Sequence, residues 1–310
     1  MRPFRLVVPA LLVLDLFVQP LSAQKVVATA PLEIGRDLPQ VRVMVNGQGP
    51  FTFGIDTATG GEAVVMPALA QQLKLPVTGE DTLDDPTGVG SQKVPVVTIS
   101  SLNIAGVEFG NVKAAQFPAG MVPDVDGILG FKLFRDYLFT LDYPRRQLTL
   151  AQGSLPAADG KEIVPYRMPD DVPVIELSVG EQKIDAHVDS GGKGLSLPEK
   201  FAGSLKFASE PFVVGRGRTV ASDFEIKGAK LASDIRLGEY TFSSPFVEIN
   251  PLFPIGNFGS FALRNFAVTF DQKNKLVRFV AAEKTIVLAG PKMMRSPQAQ
   301  PQPPSPPESH

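Results

Sequence analysis

The sequence contains no cysteine and no tryptophan, and only two histidines in 310 residues. Without cysteine there is no thiol nucleophile, no disulfide staple and no cysteine-built zinc or iron–sulfur centre. Because His310 is the last residue, a Ser-His-Asp triad would have to use His187, and a histidine-rich metal site has no ligands to draw on. With no tryptophan and only four tyrosines, a stacked platform for sugars is disfavoured. Neither sign of charge is in excess: 30 basic side chains stand against 32 acidic ones, with a net charge of −2 and a pI near 5.8. A phosphate-tracking surface is therefore not expected, and no nucleic acid partner is implied. What remains for hydrolytic chemistry is carboxylates.

Long apolar runs are also missing. Leu6 to Val18, preceded by Arg2 and Arg5, is shorter than the roughly 20 residues that span a bilayer and reads as the core of an export signal. Residues 1–23 are expected to be removed after Ala23, leaving no stable membrane span and a protein exported to the periplasm or beyond the cell. Asp15 within the run and Leu21 near the cut support a competing reading, an uncleaved interfacial anchor. At the other end, residues 285–310 are expected to be a flexible tail, because Pro291 to His310 is rich in Pro, Ser and Gln and has little apolar surface to bury.

The body between these ends is 44% apolar by whole-chain composition, enough for sizeable cores, and its length favours two of them. Short alternating segments separated by Gly, Pro, Asn and Asp indicate mostly β structure. The run Val41 to Val45, the Asn46-Gly47 turn and Phe51-Thr52-Phe53-Gly54-Ile55-Asp56 form a hairpin ending on an acid. Val174 to Val179, Gly180-Glu181 and Ile184-Asp185-Ala186-His187-Val188-Asp189 repeat it at an offset of 133 residues. After each acid come a Gly-containing turn, a short apolar strand and a Pro opening a short helix, at Pro67 and at Pro198. Near the end of each half, Gly130, Arg135, Thr140 and Asp142 recur as Gly259, Arg264, Thr269 and Asp271, all 129 residues on. A period this long means two whole lobes, 24–152 and 161–284, with 153–160 as the linker.

The twin acid turns, Asp56-Thr57-Ala58 and Asp189-Ser190-Gly191, with Ile128-Leu129-Gly130 and Asn257-Phe258-Gly259, resemble the pepsin and retropepsin superfamily of aspartic proteases, particularly its bacterial retropepsin-like members. The resemblance spans most of residues 34–282. It implies an all-β, bilobal acid-protease fold, in which two homologous, closed, barrel-like lobes with short helices hold the active site between them. It further implies an aspartic endopeptidase in which Asp56 and Asp189 share one proton and activate a water against an extended peptide or unfolded protein. No cofactor and no metal would be needed, and a single chain would act as a monomer. Thr57 and Ser190 would hydrogen-bond across the lobe interface. Thr59, which has Gly192 as its counterpart, would give Asp56 an extra donor, leaving the shared proton more often on Asp189.

Two Gly-x-Gly segments, Gly88-Val89-Gly90 and Gly215-Arg216-Gly217, follow the acid turns at comparable distances and read either as flap tips over a substrate or as ordinary β-turns. Ala58 departs from the family's glycine; a methyl group there would cost about 1 kcal/mol or more if the turn needed positive φ or close backbone approach. That departure keeps open a catalytically weakened, protease-like peptide-binding module. His187 and Asp189 share a strand face, the spacing of two metal ligands, although no second His or Cys lies nearby. A two-carboxylate glycosidase is the remaining enzymatic alternative.

Overall fold

A computed structural model describes residues 24–35, 38–85, 88, 90–118, 124–218 and 223–290. The expected signal, the Pro-rich end from residue 291 and Val89 lie outside the described residues.

The fold is all-β, and the described residues form three sheets. In the first half, Leu38–Val45 and Gln48–Asp56 form the expected hairpin. Val41, Val43, Val45, Phe53 and Ile55 turn inward, while Arg42 points to solvent. Asn46 and Gly47 both have positive φ, +50° and +73°, as a tight two-residue hairpin turn requires. Gly127–Gly130 runs parallel to the acid-bearing strand, Ala63–Val65 antiparallel to Gly127–Gly130, and Val107–Gln116 parallel to Ala63–Val65. Ser91–Ile104 and Val77–Asp84 complete the order, and Met44 and Val45 pair with Asn103 and Leu102 to curl the sheet on itself.

The second half repeats this path. Val174–Val179 and Gln182–Val188 form the hairpin, Gly256–Phe258 runs parallel to its second strand, and Leu195–Pro198 lies antiparallel to Gly256–Phe258. Phe246–Asn250 follows, parallel to Leu195–Pro198, and then the hairpin Phe212–Arg218 with Asp223–Lys230. The strand that curls the sheet is here a separate piece, Ile235–Leu237, paired with Val174–Val179.

The third sheet joins the halves, with Leu138–Asp142 antiparallel to Ala267–Asp271 at its centre. The register sets Thr140 opposite Thr269, the residues related by the 129-residue repeat, so a local two-fold axis passes between them. Their hydroxyls are 2.8 Å apart. Beside them Phe139 lies opposite Phe270, with ring centroids 5.8 Å apart, and Phe134 stacks on Phe139 at 4.1 Å. One continuous apolar core takes side chains from all three sheets.

The tail and one short helix depart from expectation. The tail does not start at residue 285, because Thr285–Ile286 pairs with Tyr240–Phe242, Ile286 is buried, and Leu288 accepts a hydrogen bond from Phe246 N. Within residues 153–160, Leu155 is buried against Leu138 and Ala151, and its N–H donates to Asp271 Oδ2 at 2.9 Å. Of the two short helices, Pro67–Gln72 is α, whereas Glu199–Ser204, which contains Gly203, winds as a 3₁₀ turn.

Because Phe139 is fully buried where the two halves meet, Phe139→Ala is expected to cost roughly 3–5 kcal/mol. In denaturant both halves should lose structure in one earlier transition; a second half melting independently at its original midpoint would contradict the shared core.

Candidate active site

Gln48–Asp56 and Gln182–Val188 end at the inner edge of their sheets, and each is pinned there by its Gly-containing neighbour. Asp56 is in register with Gly130, and Asp189 N donates to Phe258 O at 3.1 Å. The chain then turns, and each turn wraps its own carboxylate. Asp56 Oδ1 accepts from Ala58 N at 2.8 Å, and its Oδ2 accepts from the Thr59 hydroxyl at 2.8 Å. Asp189 Oδ1 accepts from Gly191 N at 2.8 Å and Gly192 N at 2.6 Å.

The two turns interlock through the residues after the acids. Thr57 N donates to Ser190 Oγ at 3.0 Å, and Ser190 N donates to Thr57 Oγ1 at 2.9 Å. The hydroxyls pass their own protons onward, Thr57 to Val188 O at 2.5 Å and Ser190 to Ile55 O at 2.8 Å. Both side chains are buried, and four hydrogen bonds join three polar groups of one half to three of the other.

This lattice brings the acids together. A Cβ on Gly191 would lie 2.4 Å from the Asp56 carboxyl carbon, so the first acid lies against the second turn, and the two carboxyl groups are linked by a hydrogen bond. Ala58 is Gly191's counterpart in the repeat. It does not have positive φ, so the strain expected of that backbone conformation is absent.

Burial pushes Asp56 up to about 7, aided by the charge of Asp189 and opposed by the donors from Thr59 and Ala58. Burial likewise raises Asp189, opposed by Gly192 N, the Asn257 side chain and Gly191 N. Thr59 gives Asp56 the expected hydroxyl donor, and Asp189 has a side-chain donor of its own that the sequence reading did not name. Asn257 donates to Asp189 from the place where the first half has Ile128, so the donors are balanced. Each carboxyl acts on the other, and burial raises both, so the two titrate as a pair. The sequence offered one clue to Asn257, the polar residue in the first position of an otherwise apolar-apolar-Gly segment.

The two Gly-x-Gly segments are placed differently. Gly88 and Gly90, with φ of +78° and +93°, sit in the turn between Val77–Asp84 and Ser91–Ile104, where Asp85 N donates to Gly90 O. Gly215, Arg216 and Gly217 lie within the strand Phe212–Arg218, opposite Ile226, Glu225 and Phe224, so they are an arm of the hairpin and not its tip. Arg216 is 3.4 Å from Glu225 across that hairpin. His187 lies on the face that carries Asp189, in register with Asn257; burial lowers its pKa against the pull of Asp56 and Asp170.

Residues 41–133 match the family model described as aspartyl protease. The match supports the aspartic protease superfamily. No curated protein matches the chain. The matched span runs from the first hairpin through the Asp56 turn and Ile128-Leu129-Gly130 to the following 3₁₀ turn. The second half is tied to it by the repeated strand path.

Two outcomes follow from this geometry. Thr57→Val strands Ser190 N and Val188 O without partners, at about 1–3 kcal/mol for each buried group; a melting temperature equal to that of the unaltered protein would contradict the interlock. Asp56 binds its proton more tightly folded than unfolded, so its contribution to stability falls as pH rises from the ordinary value of 3.8 through about 7. Asp56→Asn is accordingly expected to raise the melting temperature at pH 7.5, with the gain shrinking toward pH 4 in parallel thermal scans.

Proposed function

We propose that the protein is an aspartic endopeptidase that hydrolyses peptide bonds in extended or unfolded polypeptides. The observation that carries this reading is the pair of buried, hydrogen-bonded carboxyls, one from each turn, with Asp56 raised to about 7. Two carboxyls in contact cannot both ionise readily, so the pair holds one proton between them. In the proposed mechanism the ionised Asp189 takes a proton from a water lying between the acids as that water attacks the peptide carbonyl. The proton on Asp56 hydrogen-bonds the developing oxyanion, and Asp189 then passes the proton it took from water to the leaving nitrogen as the C–N bond breaks. Thr57 and Ser190 support the pair and are not nucleophiles, since both hydroxyls are buried and donate to backbone carbonyls.

One chain supplies both acids, which supports action as a monomer. The hairpin ending at Gly88 and Gly90, and its counterpart Phe212–Arg218 with Asp223–Lys230, are candidates to cover a bound peptide. The basic, apolar and small-residue pattern of residues 1–23 supports export to the periplasm or beyond the cell. A second reading, a peptide-binding module with weakened catalysis, is favoured by Ala58 alone: its counterpart Gly191 sits where a Cβ has no room beside the opposing acid.

Protein lacking residues 1–23, incubated with unfolded polypeptide from acid to neutral pH, distinguishes the two. Cleavage should be blocked by a statine-type inhibitor and reduced about 10²–10⁴-fold in Asp56→Asn and in Asp189→Asn. Equal cleavage by all three proteins would place the activity elsewhere, and binding without cleavage by any would establish the module. The profile of kcat/KM should be bell-shaped, with its alkaline limb near pH 7, where Asp56 gives up the shared proton; a profile still rising above pH 8 would contradict the shared-proton pair.

A further inference from the structure

The two halves follow the same path, but the faces that carry their acids differ chemically. In the first sheet, Gln40, Gly54, Ile128, Val64 and Ala115 lie side by side in register across neighbouring strands. Gly54 is two residues before Asp56, so this row is on the acid-bearing face. Beyond Gln40 that face is apolar: Val64, Met66 and Ile128 form a cluster of their own, with Leu38 and Phe117 packed on it.

The equivalent row in the second sheet is Val174, His187, Asn257, Ser196 and Glu248. His187 stands for Gly54, Asn257 for Ile128, Ser196 for Val64 and Glu248 for Ala115, so each of these four positions has become polar. The row reaches the acids directly. A Cβ on Gly192 would meet Asp189 Oδ2 at 2.1 Å and Asn257 Nδ2 at 2.4 Å, so the amide and the carboxylate lie on the same glycine. Two residues on, a Cβ on Gly194 would lie 2.2 Å from Glu248 Oε2, so Glu248 rests against the turn that holds Asp189. Gly61, Gly194's counterpart in the first half, has open space at that position.

We propose that this polar row sets specificity on the second-half side of the cleft, with Glu248 receiving a lysine or arginine side chain from the residue on one flank of the scissile bond. Leu38 and Phe117, which cover Ile128, Val64 and Met66 and are only partly buried, receive a large apolar side chain on the other flank. The proposal rests on the proteolytic reading above. Charge complementarity selects the occupant. Glu248 is partly buried and therefore incompletely hydrated, and an ammonium or guanidinium group gives its carboxylate a partner that an apolar side chain cannot. Lys193 is close enough to attract the same carboxylate, but its ammonium also lies 5.3 Å from the Phe261 ring. His187 holds its pKa below the ordinary imidazole range and brings no full positive charge to oppose a basic substrate at neutral pH. Asn257 and Ser196 line the path between Glu248 and Asp189 with hydrogen-bonding groups.

Two measurements test the subsite. In the first, peptides with a large apolar residue on one flank of the cut and either lysine or norleucine on the other are compared as substrates of the wild type and of Glu248→Gln, which keeps the side chain's shape. The wild type should favour lysine by about tenfold or more in kcat/KM. Glu248→Gln should lose that preference while retaining cleavage of the norleucine peptide and an unchanged melting temperature. In the second, uncleavable hydroxyethylene analogues of the same two peptides are titrated calorimetrically, reading the same discrimination in Kd without turnover. Equal treatment of lysine and norleucine by the wild type, or a loss in Glu248→Gln that falls on both peptides alike, overturns the subsite. If the lysine analogue binds more tightly through Glu248 but neither peptide is cleaved, the subsite stands and the proteolytic reading fails.

Discussion

Two buried carboxyl groups in contact repel each other when both are charged, and nothing in their own chemistry would hold them there. What holds them is the reciprocal pair Thr57 and Ser190, whose backbone and hydroxyl groups are satisfied only across the boundary between the halves. Releasing the interlock would leave several buried donors and acceptors unpaired, so the turns stay together and the acids stay together with them. The joint sheet serves the same end from below. Its central strands meet at Thr140 and Thr269, and the stacked rings of Phe134, Phe139 and Phe270 fix the spacing of the two sheets that carry the acids.

Much of this was legible in the chain because a two-fold axis leaves its mark twice. Alternation in Val41 to Val45 and in Phe51 to Ile55 identified a hairpin, and its recurrence before Asp189 identified the partner. The constant offset of 129 residues linking Thr140 to Thr269 matched residues that turn out to touch, since equivalent residues meet on the axis itself. What alternation cannot reveal is which contacts cross between distant segments. Thr285–Ile286 looked like the start of a tail because a two-residue strand has no periodicity to detect. Leu155 looked like a linker residue because its burial depends on Leu138 and Ala151, which are close only after folding. Gly215 and Gly217 suggested a turn, yet their strand places them opposite Ile226 and Phe224, where ladder pairing overrides the local preference of glycine.

The site itself was half legible. Asp56, Asp189, Thr57 and Ser190 stood out through duplication, whereas Asn257 stood out only as a misfit in an apolar position. Its amide matters because it offsets the Thr59 hydroxyl on the opposite acid, so neither carboxyl is favoured by donors alone. Ser196 and Glu248 gave no local signal at all; they acquire meaning from the strands that set them beside Asn257 and the Asp189 turn.

An antiparallel pair built on a two-fold axis, as Leu138–Asp142 is with Ala267–Asp271, is the geometry by which a strand could equally well bind a copy of itself. Were the halves separate and identical, every change on one side of the cleft would appear on the other, and the two flanks of a bound chain would meet the same surface. Joining them in one polypeptide removes that coupling. His187 can replace a glycine and Asn257 an isoleucine in one half while the other keeps its apolar face, so the covalent link gives the cleft a direction.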